Sequence, residues 1–394
     1  MNGEKEKATI RQLLAANCFD SAEKLCTIFI SSCGKHPGSS GNSALENQAA
    51  VKNLIESLEL MGDILFRKSQ FKRALAYYKQ SSQQKKLSYM TQQKSRRLPV
   101  TAGVENESDS QLCYKECLCH LELNDSMVAM RALELIPPRL RDVSINMMLG
   151  KLYKQSSQKR QAIACYAKVV EQMPSAIEAF ESLVSLGMET PDLLALIDTA
   201  CRERPDTSSH SDGWLHPLVT SLIHQRNHEH DKCDTQLTKL LALYPKNVYL
   251  LTALGCNAVS AEKFDDASLY FKQVRGIDGN AIDHMDQYGL LLMRACDDGE
   301  LNKLANEVLS VSCDRPEGWM LLSMFCDLKG EIEKALQFAD KAIVIDGKYT
   351  PAYRLKGQLL LAHGHPEQAV VSYSQANHVC STFISQTCHQ FSAF

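Results

Sequence analysis

Residues 145–174 read INMMLGKLYKQSSQKRQAIACYAKVVEQMP, and this stretch sets the pattern for most of the chain. It carries Leu149, Gly150 and Tyr153, then Ala162, Tyr166 and Val169, and closes on Pro174. The same order returns downstream at a step of 34. Gly255, Gly289, Ser323 and Gly357 form one column, and Ala267, Leu301, Ala335 and Ala369 a second. Phe271, Ala305, Ala339 and Tyr373 form a third; Val274, Val308, Ala342 and Ala376 form the fourth. Upstream, Cys233, Leu237, Leu240 and Pro245 keep the frame, as do Gly62, Leu65, Ala74 and Tyr78. A fixed period of this length is the mark of a repeat array.

Within each unit two apolar blocks recur at helical spacing, as in Leu301, Leu304, Ala305 and Val308. Both blocks are therefore predicted to be amphipathic helices. Turn formers such as Gly330 and Gly364-His365-Pro366 separate them. A glycine inside a helix costs up to about 1 kcal/mol relative to alanine, so the recurring small residue implies a close crossing by a partner helix. Each pair is half of a core that only stacking completes.

These columns resemble the tetratricopeptide repeat, in units starting near 55, 110, 143, 177, 214, 248, 282, 316 and 350. The resemblance implies an all-α fold, a superhelical solenoid of antiparallel helix pairs. The domain plan has a helical hairpin over 1–33, a loop over 34–48 and a first repeat block over 49–213. That block contains a flexible insertion at 87–110 and a degenerate unit at 177–213, where Gly187, Pro191 and Pro205 interrupt the pattern. A more regular block follows over 214–376, then an irregular tail over 377–394. The tail has no Asp, Glu, Lys or Arg, so it lacks the polar outer face of a terminal cap, and the array is expected to run on past this chain.

Composition narrows the function. With 394 residues, 43 basic against 46 acidic side chains and a net charge of −3, the chain has no electrostatic footprint for nucleic acid. Its start, MNGEKEKATIRQ, lacks the apolar core of a secretory signal, and no apolar run reaches membrane-spanning length; a soluble intracellular protein is expected. Fifteen cysteines, an odd number without a C-x-x-C pair, read as small packing hydrophobes.

No chemistry-bearing constellation stands out. Cys113, Cys117, Cys119 and His120 lack a second ligand pair at metal spacing, and His224, His228 and His230 lack the glutamate of H-E-x-x-H. Phosphate-loop, dinucleotide and nucleophile-elbow motifs are not found. The expectation is a chain with no catalytic residues, no metal and no cofactor: not an enzyme. Binding is left to the groove. In the repeat family the first helices line the concave side at the second, fifth, ninth and twelfth places. Asp283, Asp286, Glu317, Met320, Met324 and Asp327 fall there, and this mixture suits a peptide with an aliphatic and a basic residue. Ordinary solvated helix faces are the alternative reading of the same residues. The inner places Glu59, Asp63, Met147, Lys151, Thr252 and Cys256 do not form the Lys–Asn carboxylate clamp of chaperone adaptors.

Several stretches resemble, more specifically, the subunit 7 family of the anaphase-promoting complex (cyclosome). They are FKRALAYYKQSSQQKKLSY at 71–89, INMMLGKLYK at 145–154, MDQYGLLLMRA at 285–295, the Trp319 unit with AIVID at 342–346, and PAYRLKGQLL at 351–360. The resemblance implies a non-catalytic scaffold in a mitotic ubiquitin-ligase assembly, located in nucleus and cytoplasm and at the spindle. Implied partners are other tetratricopeptide subunits, a second copy of the chain and Ile-Arg-tailed coactivators, with neither nucleic acid nor membrane. Dimerisation would fall on the N-terminal hairpin, through Leu13, Leu14, Phe19, Leu25, Ile28 and Phe29, although capping of the first full repeat would bury the same set. The competing reading is a peptide-binding adaptor of another multiprotein complex.

Overall fold

A computed structural model describes residues 3–33, 44–96, 107–202 and 213–382. Among them the chain forms twenty α-helices, one short 3-10 turn and no β-strand. None of these helices is long and apolar enough to cross a membrane. The chain divides into two units, Met1–Ser156 and Ser157–Phe394.

The first unit contains α1 (Gly3–Ala15), α2 (Phe19–Cys33), α3 (Ala44–Arg67), α4 (Phe71–Arg96), α5 (Glu107–Glu122), α6 (Ser126–Glu134) and α7 (Val143–Gln155). Two expected loops are shorter than the sequence pattern suggests. Helix α3 already begins at Ala44, inside the loop placed at 34–48, and 34–43 lie outside the described residues. Helix α4 runs through the first ten residues of the insertion placed at 87–110, and α5 takes its last four; 97–106 lie outside the described residues. Lys, Gln, Leu and Met are good helix formers, so this stretch stays helical without an amphipathic pattern to announce it.

The second unit holds α8 (Lys159–Gln172), α9 (Ile177–Ser185), α10 (Thr190–Arg202), α11 (Leu215–Arg226), α12 (His230–Leu243), α13 (Val248–Ser260) and α14 (Phe264–Ile277). It continues with α15 (Met285–Arg294), α16 (Asp298–Val311), α17 (Pro316–Leu328), α18 (Ile332–Ile345), α19 (Thr350–Ala362) and α20 (Pro366–Thr382). Helix α20 thus takes in the first residues of the expected irregular tail, and 383–394 lie outside the described residues. The unit at 177–213 is still a helical pair. Gly187, at φ +73°, ends α9, and Pro191 sits in the first turn of α10, where its missing N–H is no loss. Helix α10 packs on α8 and α11 on α9, so no break in packing marks residue 213.

One turn joins the helices of each pair. His228, Glu262, Cys296, Gly330 and Gly364 recur every 34 residues with φ between 53° and 76°. In each case the next amide reaches back over the last turn: Glu229 to the His224 carbonyl at 2.9 Å, Lys263 to Ala258 at 2.9 Å, Glu331 to Cys326 at 2.8 Å. These bonds satisfy carbonyls the helix end would leave open.

The sequence columns become contacts. A Cβ on Gly255 of α13 would lie 3.0 Å from the Phe271 ring of α14, and one on Gly357 would lie 2.8 Å from Tyr373. Where the column holds Ser323, its hydroxyl donates to the Ala335 carbonyl on the facing helix at 2.7 Å. Phe271 is fully buried and also stacks on Tyr288 of the next pair, centroids 5.7 Å apart. One aromatic therefore ties its own crossing to its neighbour. Within each unit this is the tetratricopeptide architecture, an all-α stack of antiparallel helix pairs.

Candidate functional site

The acidic inner places of the second unit gather around α15, α17 and α19. Asp283 stands exposed in the turn before α15, and Glu317 is buried in the first turn of α17. Arg315, the residue before α17, joins them. Its guanidinium donates to both oxygens of Glu317, at 2.5 and 3.2 Å, and pairs with Asp283 at 2.8 Å. A two-pronged fork on a carboxylate is the strongest form of this contact. The guanidinium for which this acidic set was fitted is supplied by the chain itself.

Asp286 lies near enough to Glu317 to feel its charge. It is buried, with the Tyr349 hydroxyl close enough to favour its charged form. Burial pushes its carboxyl above the usual aspartate range and the field of Glu317 adds to this, while Tyr349 and His284 pull the other way. The Tyr349 hydroxyl also lies 3.5 Å from the Met320 sulfur. Met320 and Met324 are corrections to the expected groove. Both are fully buried members of the core, and the Met324 sulfur would stand 3.3 Å from a Cβ on Gly289. They fill space at a close helix crossing and do not line a solvated surface. Asp327 is half-buried; burial raises its pKa and His363 opposes the shift. Of the six groove residues, Asp283 is the one fully open to solvent. Arg315 was missed in the sequence, where its signal was a base two residues before Glu317 at a helix start.

The N-terminal set is likewise mostly inward. Leu14 and Phe29 are buried in a core with Ile10, Ala22 and Cys26, built against Met61, Ile64 and Leu65 of α3. Leu13, Phe19 and Leu25 pack on that core, and Ile28 alone of the six stands 60% exposed. The reading in which this hairpin caps the first repeat accounts for five of them. Lys7 fastens α1. Its buried ammonium reaches Glu4 at 2.6 Å, Asn53 at 3.1 Å and Glu56 at 2.5 Å.

The reactive residue types serve structure. Burial raises the thiols of Cys117, Cys119 and Cys233 to about 12 and that of Cys113 to about 11, so none is a ready thiolate. Among the described residues no group of three or more His, Cys, Asp or Glu is arranged to hold a metal ion. His224 closes its turn on Glu229 at 2.5 Å, and His230 faces the Asn257 side chain at 3.1 Å.

The tetratricopeptide repeat family matches residues 143–175. Anaphase-promoting complex subunit 7 of Arabidopsis thaliana is 30% identical over 405 aligned positions, covering 99% of this chain and 70% of the relative. The subunit 7 proteins of Dictyostelium discoideum and Homo sapiens are 28% and 26% identical, over 95% and 80% of this chain. The chain spans 64% and 56% of those two relatives. The crystal structure of an APC/C hetero-tetramer, Cut9-Hcn1, superposes with a TM-score of 0.64 at 17% identity, over 96% of this chain and 66% of that one, which establishes the shared fold. With a 30% identical relative aligned along nearly its whole length, the chain belongs to the family of anaphase-promoting complex subunit 7.

Proposed function

We propose that this chain is a non-catalytic scaffold subunit of the anaphase-promoting complex, supporting cell-cycle-regulated ubiquitin ligation through protein–protein contacts. The observation that carries the reading is the continuous similarity to subunit 7 proteins, which spans the degenerate 177–213 unit as well as the regular repeats. The absence of catalysis is supported by what the titratable groups do: Asp286, Glu317 and the buried cysteines are held by neighbours or by burial. Scaffold partners are other tetratricopeptide subunits, and a second copy of the chain is part of the proposal. Dimerisation through the hairpin would start from Ile28 and the polar surface around it, since the other five residues serve the fold. A coactivator ending in Ile-Arg would meet Asp283 first and compete with Arg315 for it. Residence in nucleus and cytoplasm, with a spindle-associated fraction, completes the proposal and is read by imaging a tagged chain.

The test is sedimentation of the chain from dividing cells through a density gradient. The reading expects it in one large particle with the other tetratricopeptide subunits. A chain found in a small complex with an unrelated protein would replace the scaffold with an adaptor.

A further inference from the structure

Helix α4 is electrostatically unlike the other helices. Its 26 residues carry seven basic side chains and no acidic one, in a chain whose net charge is −3. The second helices of later units are mostly 14 residues long and find counter-ions within the helix, as in Lys168–Glu171 and Lys303–Glu300, or on the residue just before it, as in Lys232–Glu229 and Lys334–Glu331. Such pairs at three- or four-residue spacing are how a solvated helix face usually balances charge. In α4 the positions three and four away from Lys79 and Lys86 are all uncharged.

Neighbouring helices neutralise part of this excess. Arg73 pairs with Glu23 of α2 at 3.0 Å, and Lys85 turns inward to Glu59 at 2.9 Å and Asp109 at 3.6 Å. Lys72, Lys79 and Lys86 are exposed and make no ion pair or hydrogen bond among the described residues. They are seven residues apart. On a helix that spacing is a rise of about 10.5 Å with a drift of only about 20°, so the three ammonium groups form one straight stripe. Glu116 on the adjacent α5 feels the field of Lys79 and Lys86 but pairs with neither, and one of its carboxylate oxygens is buried without a hydrogen-bond partner among the described residues. Met90, one turn past Lys86, is 51% exposed and offers an apolar end to the stripe.

We propose that Lys72, Lys79 and Lys86 form a docking stripe for an acidic helical segment of a partner protein, with carboxylates at matching seven-residue spacing. A helix laid along α4 repeats with the same rise, so each carboxylate meets its own ammonium. At about 8 Å, the screening length in physiological salt is shorter than the lysine spacing, so each pair acts separately and register matters. An acidic protein segment fits better than nucleic acid, because the chain as a whole is anionic and would repel a polyanion beyond the stripe. The stripe does not depend on membership of any assembly.

The probe is a labelled helical peptide of Ala and Gln with Glu at three positions seven apart, compared with an isomer in which the three Glu are contiguous. Binding to the full chain is followed by fluorescence anisotropy at low and physiological salt. The spaced peptide is expected to bind at least tenfold more tightly than its isomer, and Lys72→Gln, Lys79→Gln, Lys86→Gln together should abolish that preference. Circular dichroism should show the triple variant folded, since all three side chains are exposed. If it is not folded, the three single variants should each weaken binding instead. Equal affinity for both peptides, unchanged binding by the folded variants, or stronger binding of a single-stranded RNA of equal charge would overturn the proposal.

Discussion

Replacing Gly255 by alanine isolates the contact on which the repeat depends. Two opposing effects must be weighed. Alanine in a helix interior is favoured over glycine by about 0.5–1 kcal/mol. Against this, the new Cβ would sit 3.0 Å from two atoms of the Phe271 ring, and carbon atoms prefer about 3.5–4.0 Å. The ring must move by about half an ångström, yet it is fully buried and stacked on Tyr288. Overpacking of this kind costs about 1–3 kcal/mol. Gly276, near the end of α14, provides the control, because a Cβ there meets nothing within 4 Å. Gly255→Ala is therefore expected to be neutral to destabilising by about 2 kcal/mol, and Gly276→Ala to stabilise by about 0.5 kcal/mol. Urea unfolding followed by circular dichroism reads both. The difference between the two variants largely cancels helix propensity and leaves the packing penalty. Equal stabilisation by both substitutions would refute the idea that the small-residue column exists to admit the aromatic ring.

Three further outcomes follow from the same structure. Asp286→Asn should stabilise the protein at neutral pH: burial raises the folded carboxyl above its ordinary value, so its protonated state favours folding below about pH 4 and that advantage fades as pH rises through the raised value. The gap between variant and parent in thermal unfolding should accordingly be small in acid and widen toward neutral pH; a gap that narrows would contradict this. Lys7→Met keeps the buried stem but removes the nearer ammonium from Glu56, leaving it the exposed Lys52 at 4.0 Å, at a cost of about 1–3 kcal/mol, and limited proteolysis should release α1 sooner than in the parent. At the inter-helix turn, Cys296→Gly should stabilise and Gly330→Ala destabilise, each by about 1 kcal/mol, because both positions are left-handed and only glycine adopts that conformation freely. Melting temperatures that move together in the two variants would count against it.

What could be read in the chain alone follows the range of each interaction. The columns at 255, 289, 323 and 357 are set by helix-on-helix contact within one unit, so they survive as sequence periodicity. Gly330 and Gly364 announce the left-handed turn, but His228, Glu262 and Cys296 hold the same conformation without glycine, and no local signal marks them. The inner places are less legible. Position within a unit cannot say whether the following pair covers a side chain; α15, α17 and α19 pack so closely that Met320, Met324 and Asp286 are enclosed. The Arg315 fork spans two units, and its one local signal is a base two residues before Glu317, with nothing to announce the second contact to Asp283. The apolar residues of α1 and α2 are equally suited to a core or to an interface, and only the neighbouring α3 decides for the core. The helical continuation of α4 lacked an apolar stripe, so its Lys- and Gln-rich text resembled a loop.

Purification of a tagged copy of this chain from dividing cells, followed by quantitative mass spectrometry, tests the central claim most directly. The account predicts that other tetratricopeptide subunits of the anaphase-promoting complex are recovered in near-stoichiometric amounts. Recovery of the chain without those subunits would contradict it.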